Sequence, residues 1–212
     1  MLVASAVLTV SFLLFERQSP KAMLPLRFFR IPAFSAGATV AFSVSFGMFA
    51  TFFFMSLYMQ LIRGYSAFQA GVRFLPMTVL IIVTAPNAGR YASKHGSRIP
   101  MTFGLLLAGT GLLLLSRISI ETPYLLMAPV FAIMGIGIGA TMAPMTAAVM
   151  NAVGPERAGL GSATTNSARE VGGVFGIALL GTILTTRLNT VLAPFWLARS
   201  PSKPAPAIAA QR

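Results

Sequence analysis

Three polar residues lie close together in an otherwise apolar stretch of the sequence: Asn166, Arg169 and Glu170. Charged groups in such surroundings pair with opposite charges or line water, because an unpaired charge deep in a bilayer costs about 2.5–3.5 kcal/mol. Adjacent helical side chains point about 100° apart, so Arg169 and Glu170 do not simply pair with each other. Each is predicted to have a partner elsewhere or to lie near a membrane surface, and Glu170 is the acid best placed to titrate within a membrane.

The remaining inventory of reactive groups is small. The sequence has no cysteine, no aspartate, a single histidine (His95), and four acids, which are Glu16, Glu121, Glu156 and Glu170. Disulfide frameworks and thiolate metal sites are excluded. The remaining groups are too few for most acid–base or metal-assisted catalysis. We therefore predict no catalytic residues, no enzymatic activity, no metal and no cofactor.

The composition indicates that the bilayer is the main solvent of this protein. Hydrophobic residues make up 56% and charged residues 9%, whereas soluble domains have about 25% charged residues. The net charge of +12 does not predict a nucleic-acid partner, because the basic residues lie in short clusters between apolar runs rather than on one contiguous face. Basic loops beside membrane helices are the ordinary explanation.

Charged residues divide the sequence into six apolar runs. The first, Met1–Phe15, is short for a hydrocarbon core of about 30 Å and is interpreted as the second half of a truncated helix. The other five are predicted to span the membrane: Ala33–Ile62, Gly71–Gly89, Met101–Ser116, Tyr124–Val153 and Leu160–Thr186. The predicted fold class is an all-α membrane protein with about five full transmembrane helices. Residues 1–187 form the bundle, and residues 188–212 form a Pro/Ala-rich tail expected to be mobile.

The basic residues also predict the orientation of the helices. Connectors 16–32, 90–100 and 154–157 fall on one side and contain eight Lys and Arg residues, whereas segments 63–73 and 117–123 on the other side contain three. Lys and Arg are retained in cytoplasmic loops. The first side is therefore predicted to be cytoplasmic.

Small residues at four-residue spacing predict close helix packing in three spans. The pairs are Ala85 and Gly89 in the third span, Gly135 and Gly139 in the fifth, and Gly172 and Gly176 in the sixth. Small residues let helix backbones approach within a membrane. Pro144 is predicted to kink the fifth span. These positions indicate either plain helix packing or a sliding contact used in alternating access.

Soft and aromatic side chains suggest one wall of a wet cavity for lipophilic cations. The candidate lining residues are Met48, Phe52, Gln60, Met134 and Asn166. The alternative is that the aromatic residues simply face lipid. Gln60, near the end of its span, either bonds to a neighbouring helix or lies at the membrane interface.

Several motifs in order along the chain resemble one family. They are ERQSPKAMLPLRFFR (16–30), LYMQLIRGYSAFQAGVRFLP (57–76) and GPERAGLGSATTNSAREVGGVFGIALLGTI (154–183). Over about residues 1–187 the sequence resembles the EmrB/QacA branch of the major facilitator superfamily, which consists of fourteen-helix drug:proton antiporters. The resemblance implies a partial major facilitator bundle.

The stretch GRYASKHGSR (89–98) resembles the cytoplasmic gating loop of that superfamily. The residues that match or surround the signature are Gly89, Arg90, Lys94, Gly96 and Arg98. Ser93 stands where the family has an acid. The resemblance therefore implies a gating loop whose acidic interaction is lost.

The resemblance implies the C-terminal part of a proton-coupled multidrug efflux antiporter in a bacterial plasma (inner) membrane. The expected partners are the lipid bilayer, a lipophilic or cationic small molecule, protons and the N-terminal half of the same transporter, in which most proton-coupling acids of the family lie. A further helix is expected after the tail. The alternative is a non-transporting membrane subunit that assembles with a separately encoded half.

Overall fold

The computed structural model describes residues 26–119 and 121–199, with side chains described over 28–119 and 121–190. These residues form six α-helices and no strand, which confirms the predicted all-α class. The helices are α1 (Pro32–Leu57), α2 (Ala67–Arg73), α3 (Leu75–His95), α4 (Arg98–Leu115), α5 (Tyr124–Val153) and α6 (Ala158–Arg199). The predicted truncated helix, Met1–Phe15, lies outside the described residues.

Four helical segments within the described residues are long and apolar enough to cross a membrane: Pro32–Ile62, Arg98–Leu115, Tyr124–Val153 and Pro155–Thr190. The first includes a π-helical turn that continues α1. Helices α2 and α3 meet at 42°, and together they make one more candidate span if they count as one broken helix. Pro76 lies in the first turn of α3, where its missing N–H and its ring favour such a break. The chain is therefore a multi-pass membrane protein with up to five of the predicted spans.

The prediction of a connecting loop over Arg90–Pro100 is wrong for most of these residues. Helix α3 continues to His95, and only Gly96 and Ser97 separate it from α4. Charge alone does not end a helix, because Arg and Lys are good helix formers and cations in the last turn interact favourably with the helix dipole. Gly96 ends α3, with a φ of +89° and its N–H bonded to the carbonyl of Ala92 at 2.9 Å.

Two other boundaries differ from the prediction. Helix α2 begins at Ala67, inside the predicted connecting segment 63–73, and α6 continues to Arg199. The expected tail, residues 188–212, thus begins within α6. Its last part, residues 200–212, lies outside the described residues. Residues 188–199 (LNTVLAPFWLAR) are mostly apolar and contain several good helix formers, so the Pro/Ala-rich composition of the whole tail placed the end of the helix too early.

Helix α5 is the centre of the bundle. It packs against α3 and α4 on one side and against α1 and α6 on the other, while α1 and α6 also pair with each other. Its neighbours bury a core rich in methionine and phenylalanine, which includes Met55, Met59, Met77, Met127, Met134, Met145, Phe74 and Phe131. The flexible methionine side chains fill the irregular spaces between these helices.

The glycines of α5 lie where its neighbours approach most closely. A side chain at Gly135 would meet the backbone of Met77, and a Cβ at Gly139 would lie 2.9 Å from the Cβ of Thr84 in α3. Pro144 is buried in the same helix. The small residues therefore permit backbone contact between α5 and α3, which is how membrane helices gain packing energy.

The glycines of α6 set its register against α1. A Cβ at Gly172 would meet the carbonyl oxygen of Phe42, and one at Gly176 would meet that of Phe46. Both contacts advance by four residues in the same direction. Helices α1 and α6 therefore run parallel in direct backbone contact.

Candidate functional site: the polar half of the last helix

Arg169 lies in the first third of α6, which has 42 residues. It is 11 residues from the first residue of the helix, Ala158, which at 1.5 Å per residue is about 16 Å along the helix axis. The side chain is half-buried, and its Nε is buried without a hydrogen-bond partner. This is an expensive arrangement for a guanidinium, which normally satisfies its donors.

The helices around Arg169 contain no charge that is able to neutralise it. Helix α6 packs mainly on α1 and α5, and neither Pro32–Ile62 nor Tyr124–Val153 contains an acidic or basic residue. Glu170 is exposed. Within the described residues, neither Arg169 nor Glu170 forms an ion pair. The prediction that each has a partner elsewhere stays a prediction.

A polar surface surrounds this arginine in the first half of α6. Its exposed members are Ser162, Asn166, Ser167 and Glu170. The part of the helix after Glu170 exposes large apolar side chains instead, among them Phe175, Leu179, Ile183 and Leu184. Residues 162–170 of α6 are therefore unsuited to direct contact with lipid chains, because polar groups need partners in that medium.

The five residues predicted to line a cavity do not converge on one site. Met48 and Met134 both line a cavity of about 140 Å³ between α1, α4 and α5. Phe52 packs in the core with its ring centroid 5.0 Å from that of Phe74. Gln60 and Asn166 are exposed, and the Nε2 of Gln60 donates to a hydroxyl of its own helix at 2.7 Å.

A larger apolar groove was not anticipated from the sequence. It has a volume of about 680 Å³ and lies between α1, α4 and α6, with Phe46, Phe54, Leu112, Leu180, Leu184 and Arg187 among its lining residues. Leu180, Ile183, Leu184 and Arg187 follow a spacing of three and four residues, so this face of α6 was detectable as a stripe. The spacing could not show which helices this face of α6 packs against.

Where α1 ends and α5 begins, side-chain hydrogen bonds connect the end of α1 to the segment before α5. The Nη2 of Arg63 donates to the carbonyl of Thr122 at 2.6 Å, and the hydroxyl of Tyr58 donates to the carbonyl of Ser119 at 3.1 Å. The sequence did not indicate these contacts, because each joins residues about 60 positions apart.

Arg73 forms the centre of a second cluster beside the start of α5. Its guanidinium carbon lies 3.6 Å from the ring centroid of Tyr65 and 5.5 Å from that of Tyr124. The hydroxyl of Tyr124 donates to the carbonyl of Arg73 at 3.0 Å. Cation–π contacts of this kind contribute about 0.5–2 kcal/mol. They attach the break between α2 and α3 to the start of α5.

Comparison with known proteins identifies the family of this bundle. Residues 1–177 match the family model described as Major Facilitator Superfamily. The chain belongs to that superfamily. It is 35% identical to the methylenomycin A resistance protein of Streptomyces coelicolor over 80% of this chain, and 31% identical to the multidrug transporter protein MdtP of Bacillus subtilis over 86%. It is 30% identical to the tetracenomycin C resistance and export protein of Streptomyces glaucescens over 91% of this chain.

The chain spans about a third of the length of these relatives: the matched regions cover 36%, 34% and 36% of them, respectively. It is therefore similar to part of a major facilitator transporter. The resemblance to drug transporters inferred from the sequence motifs is confirmed at the level of the superfamily and its resistance proteins.

The segment that resembles the major facilitator gating loop is mainly helical. Gly89, Arg90 and Lys94 lie in the last turns of α3, Gly96 forms the turn, and Arg98 begins α4. A Cβ at Gly89 would lie 3.1 Å from that of Ala143 in α5, so this glycine faces the bundle. The three basic residues are exposed.

Ser93, which replaces the expected acid of the superfamily, bonds only locally. Its hydroxyl donates to the carbonyl of Arg90 at 2.8 Å. Tyr91 and His95 stack beside it with ring centroids 4.6 Å apart. Without a carboxylate, this position offers no ionic contact to a neighbouring helix. A gating role of the segment stays a prediction.

Replacing Ser66 by Ala is expected to destabilise α2 by about 1 kcal/mol. Ser66 and Gln69 form a capping box, in which the serine hydroxyl accepts from the N–H of Gln69 at 3.2 Å and the glutamine side chain accepts from the N–H of Ser66 at 3.2 Å. The substitution removes the hydroxyl that accepts from the N–H of Gln69, so this N–H loses its partner. Hydrogen exchange of the amides of α2 in detergent measures the loss.

The matched control is Ser97→Ala. Ser97 occupies the equivalent position before α4 but makes no capping hydrogen bond with its side chain. Its replacement is expected to change protection by less than about 0.5 kcal/mol. Equal effects of the two substitutions would contradict the role of the capping box.

Proposed function

We propose that this chain forms the C-terminal part of a proton-coupled efflux antiporter in a plasma membrane, with lipophilic or cationic small molecules as substrates. Support comes from the printed names of its relatives, which describe resistance, multidrug transport and export. The N-terminal half of the same transporter is its partner in this proposal and supplies the facing wall of the substrate pathway.

The observation that best supports transport is the exposed polar half of α6. Asn166 and Glu170 are exposed on the helix that also contains the half-buried Arg169. Intramembrane polar and charged side chains face a water-filled cavity or another protein segment rather than lipid, and they mark substrate and ion pathways. A second bundle that rocks against this surface would alternately open and close such a pathway.

The proposal gives individual residues the following roles. Glu170 is the acid best placed to exchange protons with a water-filled pathway, while the two-residue turn between α3 and α4 forms a cytoplasmic hinge. The glycine contacts of α5 and α6 hold the wall together as one body during rocking. Met48 and Met134 belong to the same wall, where they line the cavity between α1, α4 and α5.

Efflux of ethidium, a lipophilic cation, tests the proposal. The complete polypeptide that includes this chain is expected to lower ethidium accumulation in pump-deficient cells. An uncoupler that removes the proton gradient is expected to reduce this effect at least about tenfold. Glu170→Gln is expected to reduce the proton-driven component, and Thr110→Ala, at an exposed position of α4 outside this polar surface, is expected to leave it unchanged. Efflux that persists undiminished without a proton gradient would contradict the coupling.

An immunoblot against residues 200–212 separates this proposal from the alternative of a partner subunit. A membrane band far heavier than 22.4 kDa is expected if the chain is part of a longer transporter. A band at 22.4 kDa together with a second membrane protein in fixed ratio would favour the subunit. Transport by proteoliposomes that contain the 212-residue chain alone would contradict the need for a second half.

A further inference from the structure

A cavity with two arginines lies at one end of the bundle, beside the first residues of α6. It has a volume of about 450 Å³ and is lined by Phe28, Arg30, Ile31 and Arg157. Its walls are the 3-10 turn before α1 and the 3-10 turn between α5 and α6. This volume falls within the range of about 300–1,000 Å³ that is typical of small-molecule sites.

The cavity combines positive charge with an apolar base. Phe28 and Ile31 pack against the small buried cluster that closes this end of the bundle. The guanidinium carbon of Arg157 lies 5.4 Å from the ring centroid of Phe28. This contact orients the arginine at the edge of the cavity while leaving its N–H donors available.

The charge of the two arginines is not neutralised by the described residues. Arg30 and Arg157 are both exposed, and neither forms an ion pair there. Glu156, beside Arg157 in sequence, is exposed as well, and the one acid outside the described residues is Glu16. The cavity therefore has a local excess of positive charge.

The cavity lies beside the ends of three membrane-spanning helices, where lipid headgroups are expected. Arg30 is two residues before the first residue of α1, and Arg157 is next to the first residue of α6. Helix α5 ends at Val153, four residues before Arg157. Three membrane-spanning helices thus begin or end here. On the cytoplasmic side, where the loop charges place it, the leaflet is rich in anionic lipids.

We propose that this cavity binds the phosphate of an anionic phospholipid. The guanidinium groups of Arg30 and Arg157 donate to the phosphate oxygens, a pairing that suits the planar fork of arginine. The apolar base accommodates the adjoining glycerol, and the exposed Phe29 accompanies an acyl chain into the membrane. The bound lipid would join the turn before α1 to the turn before α6. This inference does not depend on transport.

Lipid titration of the purified full chain, followed by native mass spectrometry, tests the site. Dioleoylphosphatidylglycerol is expected to be retained in preference to dioleoylphosphatidylcholine. The affinity for phosphatidylglycerol is expected to fall about fivefold in Arg30→Gln or Arg157→Gln, and about 30-fold in the double variant. Melting in phosphatidylcholine alone verifies that each variant is folded, and the single variants suffice if the double variant is not.

The matched control is the double variant Arg90→Gln/Arg98→Gln. It removes the same charge from exposed positions at the α3–α4 turn, and it is expected to change the affinity less than twofold. An equal loss in this control, or equal retention of the two lipids by the unsubstituted chain, would overturn the proposal. Inorganic phosphate that displaces the lipid at equal concentration would indicate a site for free phosphate and overturn the assignment to lipid.

Discussion

Replacing Gly137 by Ala is expected to destabilise the bundle by about 3 kcal/mol, whereas the same change at Gly109 is expected to have little effect. Gly137 lies where α5 crosses α4. A Cβ there would be 2.5 Å from the backbone N of Ala108 and 2.8 Å from the carbonyl oxygen of Gly104. Backbone atoms do not move aside as the end of a flexible side chain does, so the two helices must separate.

The contact is reciprocal, which strengthens this prediction. A Cβ at Gly104 would lie 2.6 Å from the carbonyl oxygen of Gly137. Both helices therefore depend on a glycine at the same crossing. Gly104→Ala is expected to destabilise the bundle similarly, and the double substitution less than additively, because separation of the helices relieves both clashes at once.

Reversible unfolding in mixed micelles of detergent and sodium dodecyl sulfate measures these changes in the free energy of unfolding. Gly109→Ala is the control, since a Cβ at Gly109 has no heavy atom within 4 Å. There the higher helix propensity of alanine should be the main effect. A stable Gly137→Ala variant with native protection of α4 would show that the crossing is looser than described.

The positions of the long spans could be predicted from the sequence because charge and hydropathy determine them. The predicted fifth span, Tyr124–Val153, has the bounds observed for α5, and the second differs from Pro32–Ile62 by one residue. A charged residue within a bilayer has a large cost, so the ends of such runs are nearly fixed. The same reasoning failed at Arg90–His95, where polar residues extend a helix beyond the membrane at little cost.

The rotation of each helix about its own axis could not be predicted. Helices α1 and α5 are apolar on nearly all sides, so their sequences do not distinguish a core face from a lipid face. Met134 and Asn166 were therefore placed on one predicted cavity wall, although Met134 is 1% exposed in the core and Asn166 is exposed on α6. Small residues were more informative, since a glycine indicates a close approach on one face whatever surrounds it.

Arg169→Gln is expected to have opposite effects in the isolated chain and in the complete transporter. In the isolated chain the guanidinium has no ionic partner among the described residues, and its Nε has no hydrogen-bond acceptor. Removing this charge should stabilise the chain by about 1–3 kcal/mol, because an unpaired, half-buried charge in a membrane-spanning helix is costly.

In the complete transporter the same substitution is expected to lower ethidium efflux at least about tenfold. There an acid from the second half, or an anionic group in the pathway, would pair with Arg169. Removing the arginine would leave that group buried and unpaired, which typically costs about 3–5 kcal/mol. Arg169→Lys retains the charge but not the planar fork, so an intermediate efflux rate is expected.

Unfolding of the isolated chain and efflux by the complete protein are therefore measured for the same variants. Arg187→Gln is the control, because Arg187 is an exposed arginine on the same helix and should alter neither measurement appreciably. If Arg169→Gln destabilises the isolated chain, the arginine already has a partner within it. If it stabilises the chain and leaves efflux intact, the charge has no role in transport. A counter-charge from outside this bundle predicts one combination of results: Arg169→Gln stabilises the isolated chain and inactivates efflux by the complete protein.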